Sequence, residues 1–399
     1  MTTRPGAPRR WAWSLTALSV LALSATACSA RATPDPPAPA VSEAASGAAA
    51  SQSRAAELLA GLAHLLVERS YLSESVTSAV LAADGRLEAP SVDGQLQSLD
   101  ASSVALSNLL GASYLSARNP LLATLRTVDR RSVDYATARA SGDPVRLART
   151  LRDLEASPGE LATLVRRVVP RLQTEILATR FSADLQAQLA VGGSDPYALL
   201  RRAAGRAPGT ARLLTEGIAA DRDLGPAGTA AATLRADLTA AMTEHTMLVG
   251  ALAREVRLPG GAAASAATAL GANAAELASV LGRVYPPLQA PARQLLDRHD
   301  AGLIAYVQAR VAGSGEAQRG AVLAQPTEFG ELLGRYVGGL PASTLARESA
   351  AALDALVAAI DATVSGAPQS PQVLRQAASV VPAVAALLAA AIAEDQRLG

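Results

Sequence analysis

The sequence has one cysteine and no lysine in 399 residues, and aromatic residues make up only 3% of it. A single cysteine excludes an intramolecular disulfide, so side-chain packing must stabilise the fold. Arginine and alanine dominate instead, which is the bias of a very GC-rich genome.

Known catalytic motifs are missing as well. The sequence contains no HExxH, ExxH, CxxC, GxSxG or GxGxxG pattern and no Walker loop. Residues 1–27 hold three of the 36 basic residues and no acid, so the remaining chain has 33 basic and 35 acidic residues, a net charge of about −2. This balance gives no electrostatic basis for binding nucleic acid.

The first 28 residues change in character in a fixed order. Three arginines lie in the first ten residues, an apolar run covers residues 11–23, and three small residues precede Cys28. This order is typical of a secretory signal peptide, which predicts that residues 1–27 are removed. The apolar run is too short to cross a bilayer, which takes about 20 residues.

Residues 20–28 resemble the lipobox of bacterial lipoproteins, in which the cysteine is acylated and becomes the new N-terminus. Ala25 stands where that motif usually has Leu or Val. The resemblance implies a lipid on Cys28 that holds an exported protein to the outer face of the cell membrane. Arg9 and Arg10 also resemble a twin-arginine export signal, although residues 11–13 fit that signal poorly, so the export route stays open.

Residues 28–53 are rich in Ala, Ser and Pro. Their few apolar side chains cannot offset the entropy of ordering the chain. We expect a flexible tether of roughly 25–30 Å root-mean-square span after the lipidated cysteine.

From residue 54 onward the apolar residues recur at steps of three and four, as in Leu58, Leu62 and Leu65. Good helix formers are abundant and aromatic residues are scarce. The sequence therefore predicts an all-α fold. The apolar run 380–392 is shorter than a membrane span and contains Pro382, so we expect a core helix there rather than an anchor.

The chain also resembles itself. Leu99, Leu106, Leu110, Gly111 and Tyr114 match residues 171 positions later, and residues 199–225 align without a gap with residues 373–399. Such a pattern indicates a tandem duplication. We predict two antiparallel bundles of about four long helices each, the first repeat at 54–225 and the second repeat at 226–399.

Two histidines of the second repeat interrupt apolar seams. His245 lies on the predicted first helix and His299 on the third, and Glu244 and Asp300 are their acidic neighbours. These four residues form a candidate divalent metal site, and the histidines alone could ligate a haem iron. The alternative is a structural role for hydrogen-bonded buried histidines, which the first repeat favours because it has Arg69 and Val128 at these positions.

Other polar positions suggest structural roles. His64 lies off the apolar seam, so we expect it at a boundary or on the surface. Arg69 needs an acidic partner, for which Glu68, Asp129 and Asp134 are the candidates. The repeated tyrosines, Tyr114/Tyr285 and Tyr135/Tyr306, should pack in the core with the hydroxyl at a polar edge.

The second repeat is similar to an uncharacterised family of exported bacterial proteins built from tandem helical repeats. The similarity rests on residues 295–299, Leu-Leu-Asp-Arg-His, and on residues 309–313. That family tends to have a further histidine on its last helix, where this chain has Gly217 and Ala391. The resemblance implies fold and location, and no activity.

These observations favour a membrane-anchored extracytoplasmic lipoprotein that is not an enzyme and that binds an envelope partner or has a structural role. No cofactor is expected. One alternative is a metal-binding protein using His245 and His299. A second is a hydrolase of envelope polymers that uses acids such as Glu244 and Asp297.

Overall fold

A computed structural model describes residues 47–189, 195–258 and 260–399, and these contain helices and no strand. The all-α prediction is confirmed. The predicted signal peptide and Cys28 lie outside the described residues. In chain order the helices are α1 (Gly47–Ser51), α2 (Arg54–Ala82), α3 (Pro90–Ser113), α4 (Arg118–Ser141), α5 (Pro144–Glu155), α6 (Ser157–Val168), α7 (Thr174–Leu189), α8 (Pro196–Ala204), α9 (Ala207–Arg222), α10 (Ala230–Arg257), α11 (Ala263–Val284), α12 (Gln289–Val311), α13 (Glu316–Leu323), α14 (Gln325–Gly334), α15 (Ala342–Val364) and α16 (Ser370–Asp395).

Corresponding helices of the two repeats begin and end in the same way. The side chain of Ser53 accepts a hydrogen bond from the backbone of α2, and Thr229, 176 residues later, does the same for α10. These caps satisfy backbone donors that the first helical turn leaves free. Gly142 after α4 and Gly313 after α12 both have positive φ, 67° and 80°, a conformation that glycine adopts at little cost.

The order of elements also corresponds between the repeats. Helices α2–α7 match α10–α15 in sequence, and a short 3₁₀ turn stands before α4 and before α12. The repeats differ at their ends, because α8 and α9 are separate helices whereas α16 is continuous through Pro382. This order is consistent with tandem duplication.

The repeated tyrosines anchor the ends of both repeats. The Tyr114 hydroxyl donates to Asp221 at 2.7 Å, and the Tyr285 hydroxyl donates to Asp395 at 2.5 Å. Both rings are buried. The prediction of packed rings with the hydroxyl at a polar edge is confirmed for this pair.

The first helices of the two repeats, α2 and α10, pack side by side at the centre of the molecule. His64 bonds to Thr243 at 2.9 Å and Ser75 accepts from Arg254 at 2.6 Å, so the two helices run parallel. Leucines of both repeats belong to one hydrophobic core, and residues 44–399 form one compact unit. The repeats therefore share a core.

The predicted tether is shorter than expected at its C-terminal end. Residues 47–51 form α1, which packs against α16, and the Ala48 amide donates to Glu394 at 3.2 Å. Gly47 and Ser51 are buried. A small Ala/Ser helix fits against a helix rich in alanine, which composition alone did not show.

Helix α16 is the one described helix that is long and apolar enough to cross a membrane. Half of its most apolar window is buried, and it packs on α10 and α15. Leu388 and Ile392 are almost fully enclosed. Its apolar surface thus belongs to the core, as predicted for residues 380–392.

Candidate functional site

His245 and His299 meet inside the second repeat, where α10 packs against α12. Their rings are stacked with centroids 5.4 Å apart and planes inclined by 26°. Only 8% of His245 is exposed. The helical periodicity placed both histidines on inward seams, and the fold brings these seams together.

The two rings differ in their hydrogen bonds. His299 Nδ1 bonds to Gln325 Oε1 at 2.6 Å. Neither ring nitrogen of His245 has a partner, and neither carboxyl oxygen of Asp300 has one. His245 Nδ1 and Asp300 Oδ1 are 3.8 Å apart, which is too long for a hydrogen bond. Buried polar atoms are rarely left in this way.

Burial keeps this cluster uncharged near neutral pH. It lowers the pKa of His245 to about 3, with a further contribution from His299. Burial also lowers the pKa of His299. The pKa of Asp300 is raised to about 8, first by burial and then by Asp297. Desolvation disfavours the charged form in each case.

Glu244, the fourth residue of the predicted metal set, lies elsewhere. It accepts hydrogen bonds from Tyr71 at 3.0 Å and from Asn273 at 2.8 Å, and its carboxylate pairs with Arg201 at 3.4 Å. Adjacent helical residues point about 100° apart, so Glu244 and His245 cannot share a face. The structure therefore brings His245, His299 and Asp300 together without Glu244.

The geometry gives little support to the metal and haem alternatives. Within the described part of the chain, no three His, Cys, Asp or Glu side chains are grouped so that they could hold a metal ion. Axial ligation of haem iron by two histidines needs ring nitrogens that approach from opposite sides. The stacked rings of His245 and His299 face each other instead.

The acids named for a hydrolase also lie apart. Asp297 pairs with Arg293 one helical turn away at 2.8 Å, and half of its side chain is exposed. Glu244 is buried against the first repeat through Tyr71. These two carboxyl groups do not face one cleft.

A cavity of about 150 Å³ opens beside the two histidines. Its wall is mostly aliphatic and aromatic, with contributions from Leu277, Leu281, Leu296, Phe329, Leu353 and Val384. The polar side chains of the wall are His245, Thr246, His299, Gln325 and Ser349. An apolar pocket with a few polar groups is the usual form of a small-molecule site.

The first repeat has a smaller cavity at the corresponding position, of about 80 Å³. Arg69 and Val128 line it where the second repeat has His245 and His299. Arg69 forms an ion pair with Asp129 and donates to Ser103, which confirms one of its predicted partners. Asp129 is the counterpart of Asp300, so an ion pair in one repeat corresponds to an uncharged pair in the other.

The prediction for His64 is wrong. This side chain is 8% exposed and bonds to Thr243 of the second repeat. Burial lowers its pKa to about 4. His64 lies off the seam that faces its own repeat and on the face that meets α10, a contact that the sequence of one repeat does not show.

Sequence reasoning also missed two reciprocal ion pairs between the repeats. Glu68 of the first repeat pairs with Arg375 of the second at 2.8 Å, and Glu244 of the second pairs with Arg201 of the first. Both glutamates are at most 3% exposed. The available signal was that each acid and each arginine recurs at the repeat offset, 176 and 174 residues respectively.

Comparisons with protein-family models, with curated proteins and with solved structures found no match to this chain. The functional argument therefore depends on the described residues and their geometry.

Proposed function

We propose that this chain is an exported, membrane-tethered protein without enzymatic activity, whose second repeat binds a small apolar ligand. The observation that supports it best is the cavity of about 150 Å³ beside His245 and His299. An engineered apolar cavity of similar size, about 150 Å³, stays free of water and binds benzene. A ligand with about six carbon atoms is thus of suitable size.

The second repeat is better suited to this role than the first. Its cavity is about twice as large, about 150 against 80 Å³. Arg69 brings a charged group to the wall of the first cavity, whereas His245 and His299 are neutral. A charge at the wall of an apolar cavity disfavours an apolar ligand because it must give up solvent or partners.

Benzene is a suitable probe for the proposed site. We expect it to raise the thermal midpoint of the purified protein and to give saturable binding in calorimetry. Ala352 lines the cavity from α15, and Ala352→Leu should fill part of it and weaken binding. The matched control is Ala351→Leu at the neighbouring exposed position. If benzene does not bind the wild-type protein, the ligand-binding proposal fails.

The proposed location rests on the N-terminal pattern. Cys28→Ala removes the acylation site, so we expect the protein to move from the membrane fraction to the soluble exported fraction. Ser42→Ala, in the predicted tether, serves as the control and should stay with the membrane. A Cys28→Ala protein that remained membrane-bound would contradict the lipid anchor.

Metal binding remains a second candidate function because His245 and Asp300 have unpartnered polar atoms. Elemental analysis of the purified protein, beside a His245→Ala/His299→Ala variant, tests it. Metal at about one equivalent in the wild type alone would support a metal site. Its absence from both proteins after incubation with zinc would eliminate this candidate.

A further inference from the structure

The polar groups of the histidine cavity are only partly satisfied. The Thr246 hydroxyl donates to the Met242 carbonyl, and one nitrogen of His299 is bonded to Gln325. The Ser349 hydroxyl and both nitrogens of His245 have no hydrogen-bond partner. The cavity wall therefore offers hydrogen-bonding capacity that the described protein atoms do not use.

The hydrogen bond to Gln325 determines what His299 can offer. A carbonyl oxygen only accepts, so Nδ1 of His299 carries the proton in this pair. In the neutral ring the other nitrogen, Nε2, is then an acceptor. Neutral His245 offers one donor and one acceptor. A ligand group that both donates and accepts matches this pair of rings.

Charged groups match the cavity less well. A carboxylate can only accept, so it would leave the His299 acceptor unpaired unless the ring gained a proton. An ammonium group would have to lose its hydration inside a largely aliphatic wall. A purely apolar ligand would leave the histidine and serine groups without partners. A single hydroxyl group avoids all three penalties.

Building on the proposed ligand-binding function, we propose that the cavity ligand is a small alcohol or phenol whose hydroxyl group binds between His245 and His299. The hydroxyl donates to His299 Nε2 and accepts from the N–H of His245. The apolar part of the ligand packs against the leucine and phenylalanine side chains of the wall. This arrangement gives partners to the ring atoms that lack them.

Phenol, benzene and benzoate test this inference by calorimetry at pH 7, because phenol and benzene differ by one hydroxyl group. We expect phenol to bind about tenfold more tightly than benzene, the value of one net hydrogen bond. Benzoate should show no binding. Equal affinity for phenol and benzene, or tighter binding of benzoate, would overturn the inference and leave the apolar pocket intact.

Variants localise the effect. His299→Leu should reduce the affinity for phenol to that for benzene, and benzene binding serves as the check that the cavity has folded. Ala351→Leu should keep the wild-type preference. Retention of the phenol preference by a His299→Leu protein that still binds benzene would contradict the proposed contact. If none of the three compounds binds the wild type, the proposed function itself fails.

Discussion

Corresponding residues of the two repeats solve the same burial problem differently. In the first repeat, Arg69 and Asp129 remain a charged pair with a further bond to Ser103. In the second, His245 and Asp300 lie side by side as neutral groups because burial shifts both pKa values towards the uncharged form. The charged pair is closed within the protein, whereas the neutral pair leaves polar atoms free.

Removing the Arg69 charge should be costly. Arg69→Met leaves Asp129 buried without its partner, and we expect a loss of about 3–5 kcal/mol in the free energy of unfolding. The control is Arg126→Met, which breaks the more exposed pair with Asp100 and should lose less than about 1 kcal/mol. Urea unfolding of both variants measures the difference. Equal losses would mean that the Arg69 pair is no more important than a surface pair.

Asp300 should make stability fall as pH rises. Its pKa is about 8 in the folded chain against an ordinary 3.8. Between these values the folded state holds more protons than the unfolded state, so its stability decreases by up to about 1.4 kcal/mol per pH unit. The contribution of lowered histidine pKa values is already complete above pH 6.5, their ordinary value.

Urea unfolding between about pH 6.5 and 8 isolates this effect. Asp300→Asn should flatten the decline because the amide does not titrate. The exposed Asp354→Asn should leave the decline unchanged. A wild-type stability that is constant over this range would show that Asp300 is ionised in the folded protein.

At the scale of single elements, α3 approaches the loop before α16 very closely. A Cβ atom on Gly94 of α3 would overlap the backbone carbonyl oxygen of Pro368. Gly271 of α11 has no neighbouring atom within 4 Å of the corresponding position. The two glycines are therefore required for different reasons, one by packing and one by no contact at all.

Alanine substitutions separate these cases. Gly271→Ala should stabilise the protein by about 0.5–1 kcal/mol, the difference in helix propensity. Gly94→Ala should destabilise it, since a backbone atom cannot move away as a flexible side chain can. Thermal unfolding of both variants provides the measurement. A stabilised Gly94→Ala protein would show that α3 does not pack tightly against this loop.

Elements were predictable where the signal was local. Ser53 and Thr229 precede the apolar periodicity, and the helices start there. His245 and His299 could be assigned to inward faces from spacing alone. The environment of His64 and the burial of Gly47 could not, because both depend on contacts with residues more than 170 positions away. Sequence patterns of one helix do not specify which distant helix covers its second face.

At the scale of the whole molecule, the two repeats are joined through α2 and α10 and share a core. We therefore expect one cooperative thermal transition rather than one per repeat. Differential scanning calorimetry tests this by comparing the calorimetric with the van't Hoff enthalpy. Two resolved transitions would show that each repeat unfolds by itself.

The reciprocal ion pairs have a consequence for a single copy of the repeat. Glu68 meets Arg375 and Glu244 meets Arg201, so each copy gives one acid and one arginine to the other. Two identical chains related by a two-fold axis make contacts of this kind, in which each surface is its own complement. One copy encoded alone thus has the groups that it needs to form a homodimer.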